Sequence, residues 1–106
     1  MNPLRGHFNA FDDVWLLAGL RTPLVDYNGA LADVSPTDLG IKVAREVLAR
    51  SGVAAAQVDS VLAGSMAPGD FDQFYLPRHI GLYAGVPQDV PALMVQRICG
   101  TGFELF

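Results

Sequence analysis

The segment from Ser35 to Gly64 constrains this chain more than any other. Ser35-Pro36-Thr37-Asp38 is a strong helix start. Ser35 can cap, Pro36 suits the first helical position, where its missing N–H costs nothing, and Asp38 sits three residues after the cap. Gly40, Ile41, Ala44, Val47 and Leu48 then share one helical face, while Lys42, Arg45, Glu46 and Arg50 share the other. Gly52 stops the helix where a left-handed residue is wanted. After a short connection over residues 54–57, Val58-Asp59-Ser60-Val61-Leu62-Ala63-Gly64 reads as a strand entered from solvent.

An apolar run, Val14-Trp15-Leu16-Leu17-Ala18-Gly19, precedes that helix and is closed by Arg21-Thr22-Pro23. Its length and bounding turn predict a strand buried on both faces. Strand, helix, strand in this order implies a right-handed parallel crossover. The pattern then continues. A loop with Pro68 and Gly69 leads to a second predicted helix, from about Phe74 to Ala84. Leu76, Ile80 and Ala84 recur there every four residues, Pro77 belongs in its first turn, and Gly85 and Pro87 end it. Ala92 to Ile98 is the third predicted strand, and Cys99 follows at once. The expected fold class is therefore α/β, a βαβαβ unit.

The last four residues, Phe103-Glu104-Leu105-Phe106, begin an element too short to be stable alone, so the chain reads as a fragment. Residues 1–13 are expected to form a flexible tail and residues 14–106 one incomplete domain. The tail lacks the apolar core and small-residue cleavage site of a signal peptide and the Arg-rich, acid-poor character of a transit peptide. A cytoplasmic location is the expectation.

Composition narrows the function. The chain is 51% hydrophobic, 17% charged and carries a net charge of −4 with no basic run. Phosphate neutralisation needs a basic face, so nucleic acid is excluded as an expected partner, and an anionic membrane surface is disfavoured for the same reason. No apolar stretch reaches the roughly 18 residues a membrane span needs. The single cysteine cannot form a disulfide within the chain, nor build a Cys-based zinc site alone, and no metal site is expected. Cys99 is thus a buried inert thiol or a reactive one.

Its surroundings favour chemistry. Gln96-Arg97-Ile98-Cys99-Gly100-Thr101-Gly102 places the thiol between a strand and a following helix, whose amino end offers unpaired N–H groups and a positive dipole end. Both stabilise the thiolate, the nucleophilic form. The Cys99 N–H can face an oxygen that develops negative charge, and Gly100 and Gly102 allow close approach. Hydrolases set serine on a comparable turn. Other groups rank lower. His79 lies on a predicted helix with no carboxylate or thiol at ligand spacing. His7 sits in the tail, and Asp70 and Asp72 read as a solvated loop. Gly100-Thr101-Gly102 lacks the third glycine of a dinucleotide fingerprint. Met66 and Met94 read as core or near-core residues.

These residues converge on a family. Arg21-Thr22-Pro23, Ala32-Asp33-Val34, Asp38-Leu39-Gly40, the strand at Val58 to Gly64, Ala84-Gly85-Val86-Pro87, Val90-Pro91-Ala92, and above all Val95-Gln96-Arg97-Ile98-Cys99-Gly100-Thr101-Gly102 resemble the opening of thiolases. The resemblance implies most of the first half of an α-β-α-β-α layered fold, ending just past the nucleophile motif. It implies that Cys99 accepts an acyl group from acyl-CoA as a thioester. A second acyl-CoA then attacks that thioester, or coenzyme A cleaves a 3-ketoacyl-CoA in reverse. Acyl-CoA and coenzyme A would be substrates, with no permanently bound cofactor. The strand at 92–98 would pair across a homo-oligomer interface. The base histidine, second cysteine and remaining site residues would lie beyond Phe106, so the chain by itself is expected to be inactive. A ketoacyl-synthase-type condensing enzyme and a non-catalytic partner subunit are the alternatives. Two departures stand out. The loop from Met66 to Tyr75 is more aromatic and acidic than the family's, and Thr101 stands where serine is usual.

Overall fold

The computed structural model describes residues 10–70 and 72–106. Most of the expected tail, residues 1–9, therefore lies outside the described residues. The helix α1 spans Pro36–Ser51 and is built as its sequence dictates. The Ser35 hydroxyl accepts the Asp38 N–H at 3.0 Å, and Pro36 opens the first turn. Gly52 closes it at φ 73°, donating its N–H to the Leu48 carbonyl at 3.2 Å. The stripe of Gly40, Ile41, Ala44, Val47 and Leu48 is half-buried, and Lys42, Arg45, Glu46 and Arg50 are exposed.

Two four-residue strands follow, β1 (Val61–Gly64) and β2 (Ala92–Val95). They pair in parallel, Val61 opposite Ala92 and Gly64 opposite Val95. The helix α2 (Leu76–Tyr83) connects them, led in by a 3₁₀ turn at Gln73–Tyr75. A parallel pair cannot be joined by a tight hairpin, so this crossover helix is required. Pro77 lies in its first turn, as its missing N–H demands. The chain then runs through a 3₁₀ turn at Ile98–Gly100 into a one-turn helix, α3 (Thr101–Glu104).

Side chains alternate across a strand, which fixes the layering. A Cβ on Gly81 of α2 would lie 3.1 Å from the Val61 side chain, so Val61 and Ala63 face α2. A Cβ on Gly64 would instead meet Thr101 and Leu105, so α3 lies on the opposite face, with Leu62 and Leu93. α1 packs on α2 where Gly40 gives room to Ile80; a Cβ there would fall 2.4 Å from Ile80 Cδ1. Leu76 and Val86 are the buried apolar residues of this small core.

Two arginines tie the layers. Arg45 Nε donates to the Tyr83 carbonyl at 2.7 Å, joining α1 to the end of α2. Arg78 Nη1 donates to the Gln88 and Val90 carbonyls at 3.2 and 2.9 Å, fixing the turn that feeds β2. Surface arginines do less; Arg50 and Glu46 form an exposed pair one turn apart, worth a few tenths of a kcal/mol (~0.3–0.5) at most.

Four expectations are corrected. Residues 14–19 form no strand and are not buried: Trp15 is 80% and Leu16 85% exposed. A strand needs a neighbour for its N–H and C=O groups, and among the described residues this run has no ladder partner. The strand at 58–64 forms only over its last four residues, and the one at 92–98 stops at Val95 because the chain turns at Arg97 (φ −139°, ψ 41°). Met66 is exposed rather than part of the core.

Candidate active site

Cys99 sits at the middle of the 3₁₀ turn between β2 and α3, and is exposed. The thiol is thus neither in the strand nor at the first residue of the helix, as strand-then-helix reading suggested, but on a separate tight turn. That turn is shaped by Ile98, whose φ is +47°. A β-branched side chain in the left-handed region is a genuine outlier, costing about 1–3 kcal/mol, and persists only where its surroundings hold it. The Gly100 N–H closes the turn on the Arg97 carbonyl at 2.9 Å.

The surroundings that hold it centre on Thr101, which is only 6% exposed. Its hydroxyl oxygen accepts the Arg97 N–H at 2.8 Å and donates its single proton to the Ile98 carbonyl, also at 2.8 Å. The Thr101 methyl meanwhile rests in the space left by Gly64, at the end of β1. A side chain at Gly64 would meet Thr101 Cγ2 at 2.5 Å and the Val95 carbonyl oxygen at 2.6 Å. So the end of the sheet, the threonine and the cysteine turn fit as one unit. Arg97 also reaches forward to Glu104 across α3, Nη1 to Oε2 at 3.4 Å.

A second polar cluster lies elsewhere. His79 Nε2 and Asp72 Oδ2 are 2.5 Å apart, both partly buried. This corrects the expectation that His79 has no carboxylate partner and that Asp72 is simply solvated. The partner is seven residues upstream, brought round by the left-handed Asp72 (φ 60°) and the 3₁₀ turn. The buried Gln73 holds the same loop, its Oε1 accepting the Gly69 N–H at 3.1 Å. An open groove of about 570 Å³ runs past these groups, lined by Asp38, Arg45, Asp70, Asp72, His79 and Tyr83 among others. Cys99 does not line it. Among the described residues no three His, Cys, Asp or Glu side chains are grouped to hold a metal ion, and no helix is long and apolar enough to cross a membrane.

The sequence singled out Cys99 and marked Thr101 as a departure, but gave no sign of the role of Gly64, of the two bonds Thr101 makes or of the pairing of Asp72 with His79. A threonine two residues beyond a cysteine could have been read as a side-chain staple of the preceding turn. The Gly64 contact carried no local signal.

A half-buried parallel pair joined by a crossover helix, with a cysteine turn after its second strand, is part of a mixed α/β fold. The thiolase amino-terminal domain matches residues 14–105, and the chain belongs to the thiolase family. It is 41% identical over 91 residues to bovine mitochondrial 3-ketoacyl-CoA thiolase, covering 86% of this chain and 23% of that protein. It is 37% identical over 92 residues to the beta-ketothiolase BktB of Cupriavidus necator, again over 23% of that protein. The fold matches the crystal structure of human mitochondrial 3-ketoacyl-CoA thiolase with a TM-score of 0.76 and 42% identity, over 79% of this chain and 21% of that one. That enzyme has also been solved in complex with CoA. The chain thus spans under a quarter of the length of the relatives it matches.

Proposed function

We propose that this chain supplies the nucleophile of a thiolase, acting within a complete thiolase fold. The observation that carries the reading is the exposed Cys99 thiol on its own tight turn at the end of β2. Cys99 Sγ attacks the carbonyl carbon of an acyl-CoA. The carbon–sulfur bond to CoA breaks, CoA leaves as the thiol after taking up a proton, and an acyl-cysteine thioester remains. The Cys99 N–H is the candidate donor to the oxyanion formed in that attack. A second acyl-CoA, deprotonated at its α-carbon, then displaces the cysteine thiolate. In reverse, CoA cleaves a 3-ketoacyl-CoA. Acyl-CoA and CoA are substrates, and no cofactor is held permanently.

The rest of the proposal follows from what the chain contains. Residues 14–106 form an incomplete amino-terminal domain. The isolated chain is inactive, because the α-carbon proton needs a base and general base help is worth about 10²–10⁴-fold. A homo-oligomer forms through the segment at 92–98, of which Ala92–Val95 is strand. In support, Leu93 is 57% exposed and β2 has β1 on one edge only among the described residues. The working location is the cytoplasm; the mammalian relatives are named as mitochondrial, so subcellular fractionation decides between the two.

Intact mass spectrometry of the complete protein mixed with acetyl-CoA tests the reading, with peptide mapping around Cys99. The expected result is one acetyl adduct on Cys99, absent from Cys99→Ala together with all acyl transfer. No adduct from acetyl-CoA or longer acyl-CoAs overturns it in favour of a non-catalytic subunit. Turnover by the isolated chain overturns the fragment part alone.

A further inference from the structure

We propose that Thr101 is a positioning residue for acyl transfer, its hydroxyl holding the turn that aims Cys99. The inference rests on the reading of Cys99 as nucleophile. Three observations support it together. The residue immediately before the cysteine, Ile98, is held at φ +47°, a conformation its branched side chain opposes. The N–H of the preceding residue, Arg97, and the carbonyl of Ile98 itself both bond to the Thr101 hydroxyl at 2.8 Å. And the hydroxyl cannot drift, because its own Cβ carries a methyl seated against Gly64 in a site that is almost fully buried.

Strained backbone persists when its neighbours over-determine it. Here one oxygen does so twice: it accepts from the Arg97 N–H and gives its single proton to the Ile98 carbonyl. Without it the turn relaxes toward negative φ, and the Cys99 side chain swings on the adjoining bond. An isosteric valine keeps the methyl contact and removes both hydrogen bonds. A serine keeps both bonds and removes the methyl. The two substitutions therefore separate hydroxyl from shape.

The consequence is specific to chemistry that needs direction. A thioester in a site must meet Sγ along one approach, and a misplacement of about 1 Å can cost on the order of 100-fold. A small alkylating agent meets the exposed thiol from many directions and does not share that requirement. Thr101→Val, Thr101→Ala and Thr101→Ser are made in the complete protein. For each, two rates are read by mass spectrometry: acetylation of Cys99 by acetyl-CoA, and its alkylation by iodoacetamide.

The expected result is acetylation about 10- to 100-fold slower in Thr101→Val, with alkylation within about threefold of wild type and Thr101→Ser restoring acetylation to within about threefold. Should the valine variant fail to fold, Thr101→Ala reports the same loss of hydroxyl with less demand on packing. Acetylation at wild-type rates in the variants without hydroxyl overturns the proposal. So does a parallel fall of both rates, or a serine variant as slow as the valine one. A wild-type protein that takes no acetyl group at Cys99 removes the nucleophile assignment itself, an outcome distinct from all of these.

Discussion

Replacing Gly64 with alanine should damage the sheet and the cysteine turn together, although the two are 35 residues apart in sequence. The added Cβ falls 2.5 Å from Thr101 Cγ2, 2.6 Å from the Val95 carbonyl oxygen and 3.3 Å from Leu105 Cδ1. Ordinary contact begins near 3.4 Å, so about 1 Å must be found in two directions at once. Rotating Thr101 clears its methyl, but Cγ2 and Oγ1 share one Cβ, so the hydroxyl leaves Arg97 and Ile98. Two hydrogen bonds at about 1 kcal/mol each go with it. The Val95 oxygen is backbone in the paired strand and can move only if β1 and β2 separate. Either route falls in the range of about 1–3 kcal/mol usual for overpacking, and both together put the cost near 3. Hydrogen exchange on the complete protein measures this locally, over peptides covering residues 58–64 and 92–98. At about 1.4 kcal/mol per tenfold, protection there should drop by roughly two orders of magnitude. Acetylation of Cys99 should slow in the same variant. Unchanged protection in both peptides would refute the packing argument. Lost protection with an unchanged acetylation rate would refute the link from β1 to the cysteine.

Two further outcomes follow from the same structure. Ser35→Ala removes the amino-terminal side-chain cap of α1, which should destabilise that helix by about 1 kcal/mol, read as roughly fivefold faster exchange in its first turns. Asp72→Asn weakens the pair with His79, whose partners are about a third exposed, so the effect should be at most about 1 kcal/mol. Exchange should quicken by less than tenfold over residues 65–80. Cys99 acetylation should not change, because Cys99 does not line that groove; a slowed acetylation would show that the two clusters communicate.

How much was legible varies with the range of the interaction. α1 was readable almost to the residue, since Ser35, Pro36, Asp38 and Gly52 act within four positions of where they stand. α2 came out shorter than predicted, at Leu76–Tyr83, because the residues before Pro77 close a 3₁₀ turn first. The run at 14–19 was misread. Its apolar composition is real, but composition gives a strand only its side-chain preference, and the backbone needs a neighbouring edge. His79 was passed over because sequence spacing suggested no partner, while a left-handed Asp72 bends the loop back to it.

The sequence by itself determined the ends of α1, the parallel α/β order and Cys99 as the residue to watch, because caps, hydrophobic periods and a lone motif cysteine are short-range signals. Only the tertiary structure decided what surrounds that cysteine. It set the positive φ at Ile98, the hydroxyl of Thr101 on both sides of it, and the glycine at the end of another strand that leaves Thr101 its place. The physical reason is that two strands whose paired residues are 31 apart must come together before Gly64 and Thr101 can touch, and a contact made by pairing leaves no local trace in either segment.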